Sequence, residues 1–117
     1  MSAVFTVKST IDIDTNINGL INHFKLNYRS KTTIEAINKF VASMSVYNEK
    51  KELTIEDTIA INNSCIELIE SLLGVGTVKQ IFGDDFDITH EMLENLVYFL
   101  MNEIGKAKES TLKKYGI

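Results

Sequence analysis

Proline is absent from this 117-residue chain, and tryptophan is absent too. Without proline there is no proline-rich linker, and one of the usual signals of a domain boundary is missing. The length lies near the commonest size of a single domain. We therefore expect one domain over residues 1–117, with a β-hairpin over residues 1–29 and a helical part over residues 30–117.

Cysteine occurs only once, as Cys65. A lone cysteine cannot form a disulfide within the chain or a multi-cysteine metal site, and this suits a reducing compartment. Residues 1–7 carry no basic flank and no long apolar run, and no stretch approaches the roughly 18 apolar residues of a membrane span. These absences predict a protein of the cytoplasm that has no membrane partner.

Positive charge is also limited, since the formal net charge is -4 and the pI is about 5.1. A broad cationic surface is therefore not indicated, and we expect no nucleic-acid partner. One basic face near the end of the chain remains a candidate for nucleic-acid binding, although cations there equally suit the negative end of a helix dipole. It consists of Lys106, Lys108, Lys113 and Lys114.

Apolar and polar residues alternate from Val4 to Ile13, which predicts a half-buried strand. Asn18-Gly19 follows, and it favours a two-residue type I′ turn because both residues tolerate positive φ. Pairing Ile17 with Leu20 across this turn brings the apolar residues of both strands to one face. The predicted pairs are Thr15 with Asn22, Ile13 with Phe24, Ile11 with Leu26 and Ser9 with Tyr28, and on the other face Asp12 with Lys25 and Asp14 with His23.

Helical patterns occupy the rest of the chain. Two Thr-x-x-acid pairs match the capping box and predict helix starts, namely Thr32 with Glu35 and Thr54 with Asp57. The first helix should end near Asn48, because the charged run Glu49–Glu52 follows. We interpret this run as a hydrated connection between helices rather than as a recognition loop.

The second helix carries two adjacent apolar rows, which predict burial on a wide face at the centre of the domain. The rows are Ile55, Ile59, Ile66, Ile69 and Leu73, and beside them Ile61, Cys65, Leu68 and Leu72. Two amides interrupt this helix, Asn62 and Asn63, which mark either a solvent stripe or a polar contact across an interface.

A glycine-bracketed segment follows the second helix. Gly74 lies where a helix end favours positive φ, and Gly76 and Gly83 enclose a short helix over Thr77–Phe82. The last helix is capped by Asp87 or Thr89 and carries an apolar face, formed by Met92, Leu93, Leu96, Val97, Leu100 and Ile104. The predicted fold class is α+β and mostly α, with an N-terminal β-hairpin followed by three main helices and one short helix.

The sequence offers no complete reactive site. The acids Asp84, Asp85, Asp87 and Glu91 lack the spacing and the glycine of a calcium loop. His23 and His90 have no ligand-spaced partner, and Cys65 belongs to an apolar helical row rather than to an electropositive setting. Gly74-Val75-Gly76 follows a helix instead of a strand and lacks the Gly-Lys-Ser/Thr of a phosphate loop. We predict no catalytic residue, no cofactor and no metal site.

Leu72–Gly83 reads Leu-Leu-Gly-Val-Gly-Thr-Val-Lys-Gln-Ile-Phe-Gly. It resembles the pattern Leu-Phe-Gly-Glu-Gly-Thr-Ala-Glu-Lys-Ile-Phe-Gly of the tail assembly chaperone-like proteins of long-tailed bacteriophages and prophages of Gram-positive bacteria. The Ile17-Asn18-Gly19 hairpin and the Lys113-Lys114-Tyr115 ending are similar to that group as well. The chain departs from the pattern at Val75, where an acid is expected, and at Val78-Lys79-Gln80, where the charge differs.

The resemblance implies a non-enzymatic protein of the host cell cytoplasm that holds the tape measure protein until tail tube subunits polymerise around it. Recognition would be helix-on-helix or helix-in-groove, and self-association into a homo-oligomer is a further expectation. The expected partner-binding residues lie on the short helix and the exposed side of the last helix. They are Val78, Ile81, Phe82, Tyr98, Phe99 and Met101.

Two other classes of protein remain open. One is a small helical adaptor or regulator associated with nucleic acid, which the basic face near the end of the chain would support. The other is a small enzyme whose site is formed by oligomerisation, although the sequence presents no nucleophile or base for it.

Overall fold

The computed structural model describes residues 2–5, 8–83 and 90–114, and within the last range it describes the side chains of residues 92–109. The fold is α+β and mostly helical, as predicted, with a two-stranded antiparallel sheet followed by four helices in these residues. The strands are β1, Thr10–Ile17, and β2, Leu20–Asn27. The helices are α1, Lys31–Asn48, α2, Ile55–Leu73, α3, Thr77–Phe82, and α4, His90–Lys114.

The hairpin has the predicted turn and the predicted register. Asn18 and Gly19 have φ values of 51° and 91°, as a type I′ turn requires. Ile17 pairs with Leu20, and the remaining pairs follow in step down to Thr10 with Asn27. Local turn chemistry and apolar alternation agree here, and together they define which side chains face the helices.

The predicted start of the first strand is wrong, because β1 begins at Thr10 and not at Val4. Val4 and Phe5 are 83% and 84% exposed and lie outside any strand. The cause is the lack of a partner, since β2 ends at Asn27 and the chain then turns into α1. Alternation alone does not form a strand where no neighbour supplies hydrogen bonds.

Helix α1 ends at Asn48 as predicted, but its cap is Ser30 rather than Thr32. Ser30 has extended backbone angles, and its Oγ accepts a hydrogen bond of 3.1 Å from the Thr33 N–H. The helix packs on α2, and Thr33 is its buried residue. Most of its apolar side chains are therefore half-buried or exposed.

Helix α2 begins with the predicted capping box. The Asp57 N–H donates to Thr54 Oγ1 over 3.1 Å, and the Thr54 N–H donates to Asp57 Oδ2 over 3.0 Å. The row from Ile61 to Leu72 is buried, as expected. The row that begins at Ile55 is not buried throughout, because Ile55 and Ile59 remain 78% and 54% exposed. The prediction of a wide buried face is wrong for the first turns of this helix.

The glycine-bracketed segment also forms as predicted. Gly74 ends α2 with φ of 122°, and Gly76 precedes α3 with φ of 84°, values that residues with a side chain rarely adopt. The short helix packs against α2 and both strands. Side chains of Asn22 and Gln80 tie the hairpin to it, since Gln80 Nε2 donates to Asn22 Oδ1 over 2.9 Å.

One apolar core joins the hairpin to three of the helices. Its members from the hairpin are Ile13, Leu26 and Tyr28, and those from α4 are Leu93, Val97, Leu100 and Ile104. Residues of α2 and α3 complete it. The predicted caps of the last helix, Asp87 and Thr89, lie outside the described residues.

Candidate interaction surface

The structure places the six predicted partner-binding residues in two different environments. Val78, Ile81 and Phe82 are buried, because α3 lies against the hairpin and α2 and directs its apolar side chains inward. This corrects their expected placement, since they belong to the core instead of the exposed surface. Tyr98 and Phe99 are 81% and 43% exposed, and Met101 is half-buried.

An open groove runs between β1 and α4, and we call it the β1/α4 groove. Its volume is about 410 Å³. It is lined mainly by apolar atoms, from Asp14–Ile17 on β1, Ile81 and Phe82 on α3, and Met92, Leu96 and Phe99 on α4. Met92, Leu96 and Phe99 follow one another at spacings of four and three, so they share one flank of α4.

Thr15 lines the same groove and is the least satisfied polar residue of the described part of the chain. Its side chain is buried, at 7% exposure, and its Oγ1 has no hydrogen-bond partner among the described residues. A buried hydroxyl without a partner costs about 1–3 kcal/mol. The sequence could have indicated this unpaired hydroxyl, because Thr15 is a polar residue on the otherwise apolar face of the hairpin.

Helices α2 and α4 pack against each other, and both keep apolar side chains at least partly exposed. We call this set of side chains the α2/α4 surface. It comprises Ile55 and Ile59 on α2 and Tyr98 and Met101 on α4. Ile55 and Ile59 are four residues apart on α2, and Tyr98 and Met101 are three residues apart on α4, so each pair shares one flank of its helix. Sequence reasoning assigned both isoleucines to the core and so missed them.

The single thiol is not an activated nucleophile. Cys65 is buried in α2, and this burial, together with the nearby Glu94 charge, raises the pKa of the thiol to about 11. A nucleophilic cysteine needs the opposite shift, because the thiolate is the reactive form. Cys65 is therefore a small core residue, as the sequence indicated.

The charged connection between α1 and α2 is tied to the cap of α2. Lys50 Nζ lies 2.9 Å from Asp57 Oδ1. This contact raises the pKa of Lys50, and together with the Thr54 N–H it lowers the pKa of Asp57. The arrangement fits a connection between helices better than a recognition loop.

Other polar candidates lie on the surface. His23 pairs with Asp14 on the exposed face of the hairpin, as predicted. Among the described residues no group of three or more His, Cys, Asp or Glu side chains is arranged to hold a metal ion. The predicted acidic cluster, Asp84, Asp85 and Asp87 with the Glu91 side chain, and the side chain of His90 lie outside the described residues.

The two mid-helix amides are also placed by the structure. Asn63 is exposed, while Asn62 is half-buried and has an interaction partner. Both therefore avoid the cost of an unpaired buried amide. Lys106, from the candidate basic face, pairs with Glu103 over 3.3 Å.

Comparison with known protein families, with curated proteins and with solved structures finds no match. Within the described residues, every helix is too short or too polar to cross a membrane.

Proposed function

We propose that this protein is a non-enzymatic, tail assembly chaperone-like protein of a long-tailed bacteriophage or prophage. In this role it holds the tape measure protein, a long helical and aggregation-prone chain, until tail tube subunits assemble around it. The resemblance of Leu72–Gly83 to that group supports the proposal. A protein that holds an unassembled helical partner needs exposed apolar side chains on a stable scaffold.

The observation that carries the proposal is the α2/α4 surface. Ile55, Ile59 and Tyr98 are large apolar or aromatic side chains that remain more than half exposed on two packed helices. Apolar side chains at helical spacing on such a surface can cover the apolar stripe of a partner helix and remove both from water.

Co-expression with the tape measure protein of the same tail gene cluster tests the proposal. The soluble fraction of the tape measure protein should rise when the wild-type chain is present. The double variant Ile59→Asp/Tyr98→Asp should lose this effect, because two charges on the contact surface should lower affinity by roughly tenfold or more. Both side chains are exposed, so the fold should tolerate the changes.

Val46→Asp is the matched control, since Val46 is an equally apolar and exposed residue on α1, away from the α2/α4 surface. This variant should protect the tape measure protein as well as the wild-type chain does. An unchanged soluble fraction with the wild-type chain would contradict the proposed function. Equal loss in the control and the double variant would contradict the assignment of the surface.

A further inference from the structure

The outer edge of β1 is open. In a hairpin with a two-residue turn, the residues that flank the turn form a hydrogen-bonded pair, and such pairs recur at every second residue. The bond of 3.1 Å from the Tyr28 N–H to the Ser9 carbonyl shows that odd-numbered residues of this strand bond to β2. The N–H and C=O groups of Asp12, Asp14 and Asn16 therefore point away from β2, and no third strand of the described chain pairs with them.

The β1/α4 groove lies along this open edge. Four consecutive residues of β1, Asp14–Ile17, line it, and β2 contributes none. A strand added to this edge would bond to the outward-pointing backbone groups. Its side chains on one face would then lie over Leu96 and Phe99. The groove thus offers both parts of a strand-addition site, a free backbone edge and an apolar floor.

The chain itself contains a segment with matching chemistry, Ser2–Phe5, which we call the arm. The arm carries no charged side chain, and Val4 and Phe5 are almost fully exposed. Its odd-numbered residues, Ala3 and Phe5, are apolar like those on the core face of β1, and Val4 between them is apolar as well. The arm is apolar enough for a half-buried strand, but it pairs with no strand in the described part of its own chain.

The arm cannot occupy the groove of its own chain. Tyr28 Oη and Arg29 Nε both donate to the Lys8 carbonyl over 2.8 Å, which fixes the chain at the open end of the hairpin. Phe5 is then at most about 14 Å from Ser9, whereas the β1 residues of the groove lie from about 16 Å (Asp14) to about 26 Å (Ile17) from Ser9 along the strand, so the arm cannot extend along it. The groove of a second copy has no such restriction.

We propose that the arm of one copy adds as a strand to the outer edge of β1 in a second copy, with Phe5 seated in the β1/α4 groove. Pairing of two β1 strands with each other is disfavoured, because Asp12 and Asp14 of the two copies would lie opposite one another. An uncharged arm brings no such repulsion to this acidic edge. The inference stands independently of the proposed function, which concerns a different surface.

Sedimentation velocity over a series of protein concentrations tests this assembly. The wild-type chain should self-associate, and Phe5→Asp should raise the dissociation constant by roughly tenfold to a hundredfold. Phe5→Asn and Val4→Asn form the matched pair, because neither adds a charge to the acidic edge. Phe5→Asn should weaken association and Val4→Asn should not, since neighbouring residues of a strand face opposite sides and Val4 would point away from the groove. Both residues are exposed in the single chain, so neither change should affect folding.

The groove is tested by a second pair of variants. Phe99→Asp should weaken association as Phe5→Asp does, whereas Tyr98→Asp, on the other flank of α4, should not. A mixture of Phe5→Asp and Phe99→Asp chains retains one intact arm and one intact groove. It should therefore form a dimer that neither variant forms alone.

A wild-type chain that sediments as a monomer at every concentration would overturn the inference. Equal weakening by Phe5→Asn and Val4→Asn, or a mixture that stays monomeric, would overturn it too. Co-expression with a tape measure protein reports separately on the proposed function, since Ile59→Asp/Tyr98→Asp leaves the arm and the groove intact.

Discussion

Ser30 is the residue at which the hairpin becomes helix. Its hydroxyl accepts from the Thr33 N–H, and the Thr33 hydroxyl in turn donates to the Asn27 carbonyl over 2.6 Å. The carbonyl at the end of β2 and a free N–H at the start of α1 are thereby both satisfied. Two short side chains thus supply the hydrogen bonds that the backbone needs between the end of β2 and the start of α1.

Ser30→Ala should lower the free energy of unfolding by about 1 kcal/mol, because it removes the cap of α1. Thr32→Ala should change it by less than about 0.5 kcal/mol, since Thr32 is exposed and does not cap the helix. Urea denaturation followed by circular dichroism at 222 nm measures both changes. A larger loss in Thr32→Ala than in Ser30→Ala would show that the capping residue is misassigned.

The sequence locates one cap and misplaces the other for a physical reason. At Thr54 the capping box forms because Asp57 accepts a hydrogen bond from the Thr54 N–H and also pairs with Lys50. At Thr32 the same spacing to Glu35 exists, but Glu35 pairs with Lys31 at the surface. The position of Ser30 is set by where β2 ends, and that depends on the length of the hairpin rather than on the helix sequence.

At the scale of elements, α2 is the helix on which the others pack, yet it is covered unequally. Helix α1 lies against the side that carries Ser64 and Glu67, whereas α4 shares the buried core with Cys65. Ile55 and Ile59 lie away from α1 and remain exposed at the start of the helix. Burial of a helical row therefore depends on how far its neighbours extend along it.

Ile61→Ala and Ile59→Ala form a matched pair on this helix. Ile61→Ala should destabilise the chain by about 2–5 kcal/mol, because Ile61 is buried in the core and its truncation leaves a cavity. Ile59→Ala should cost less than about 1 kcal/mol, since more than half of that side chain is already in water. Chemical denaturation of the two variants under one condition gives the comparison. Similar losses in both would contradict the exposure of Ile59 in the folded chain.

The order and type of the elements follow from local patterns, whereas the open surfaces do not. The register of the hairpin is predictable because Asn18-Gly19 sets the turn and Ile13 with Phe24 sets the face. The exposure of Ile55 and the burial of Phe82 depend on which distant elements pack together. The apolar periodicity of a segment does not reveal which elements will cover it. An apolar row looks the same whether it faces a core or a partner.

At the scale of the whole molecule, the hairpin and the helices share one core. Leu26 is fully buried on β2 and belongs to the same cluster as Ile69 of α2, Ile81 of α3 and Leu100 of α4. The amide pair of Asn22 and Gln80 adds a polar link between the hairpin and α3. This arrangement favours joint unfolding of the hairpin and the helices.

Leu26→Ala tests that coupling, because Leu26 lies on the hairpin while most of the circular dichroism signal arises from the helices. The variant should lose about 2–5 kcal/mol of unfolding free energy, as expected for a large buried side chain. Since the core is shared, the helical signal at 222 nm should show this full loss in a single transition. Hydrogen exchange of the α2 amides should accelerate by the corresponding factor. If the helical transition instead kept its wild-type midpoint, the hairpin and the helices would be independent folding units, and the expectation of a single domain would fail.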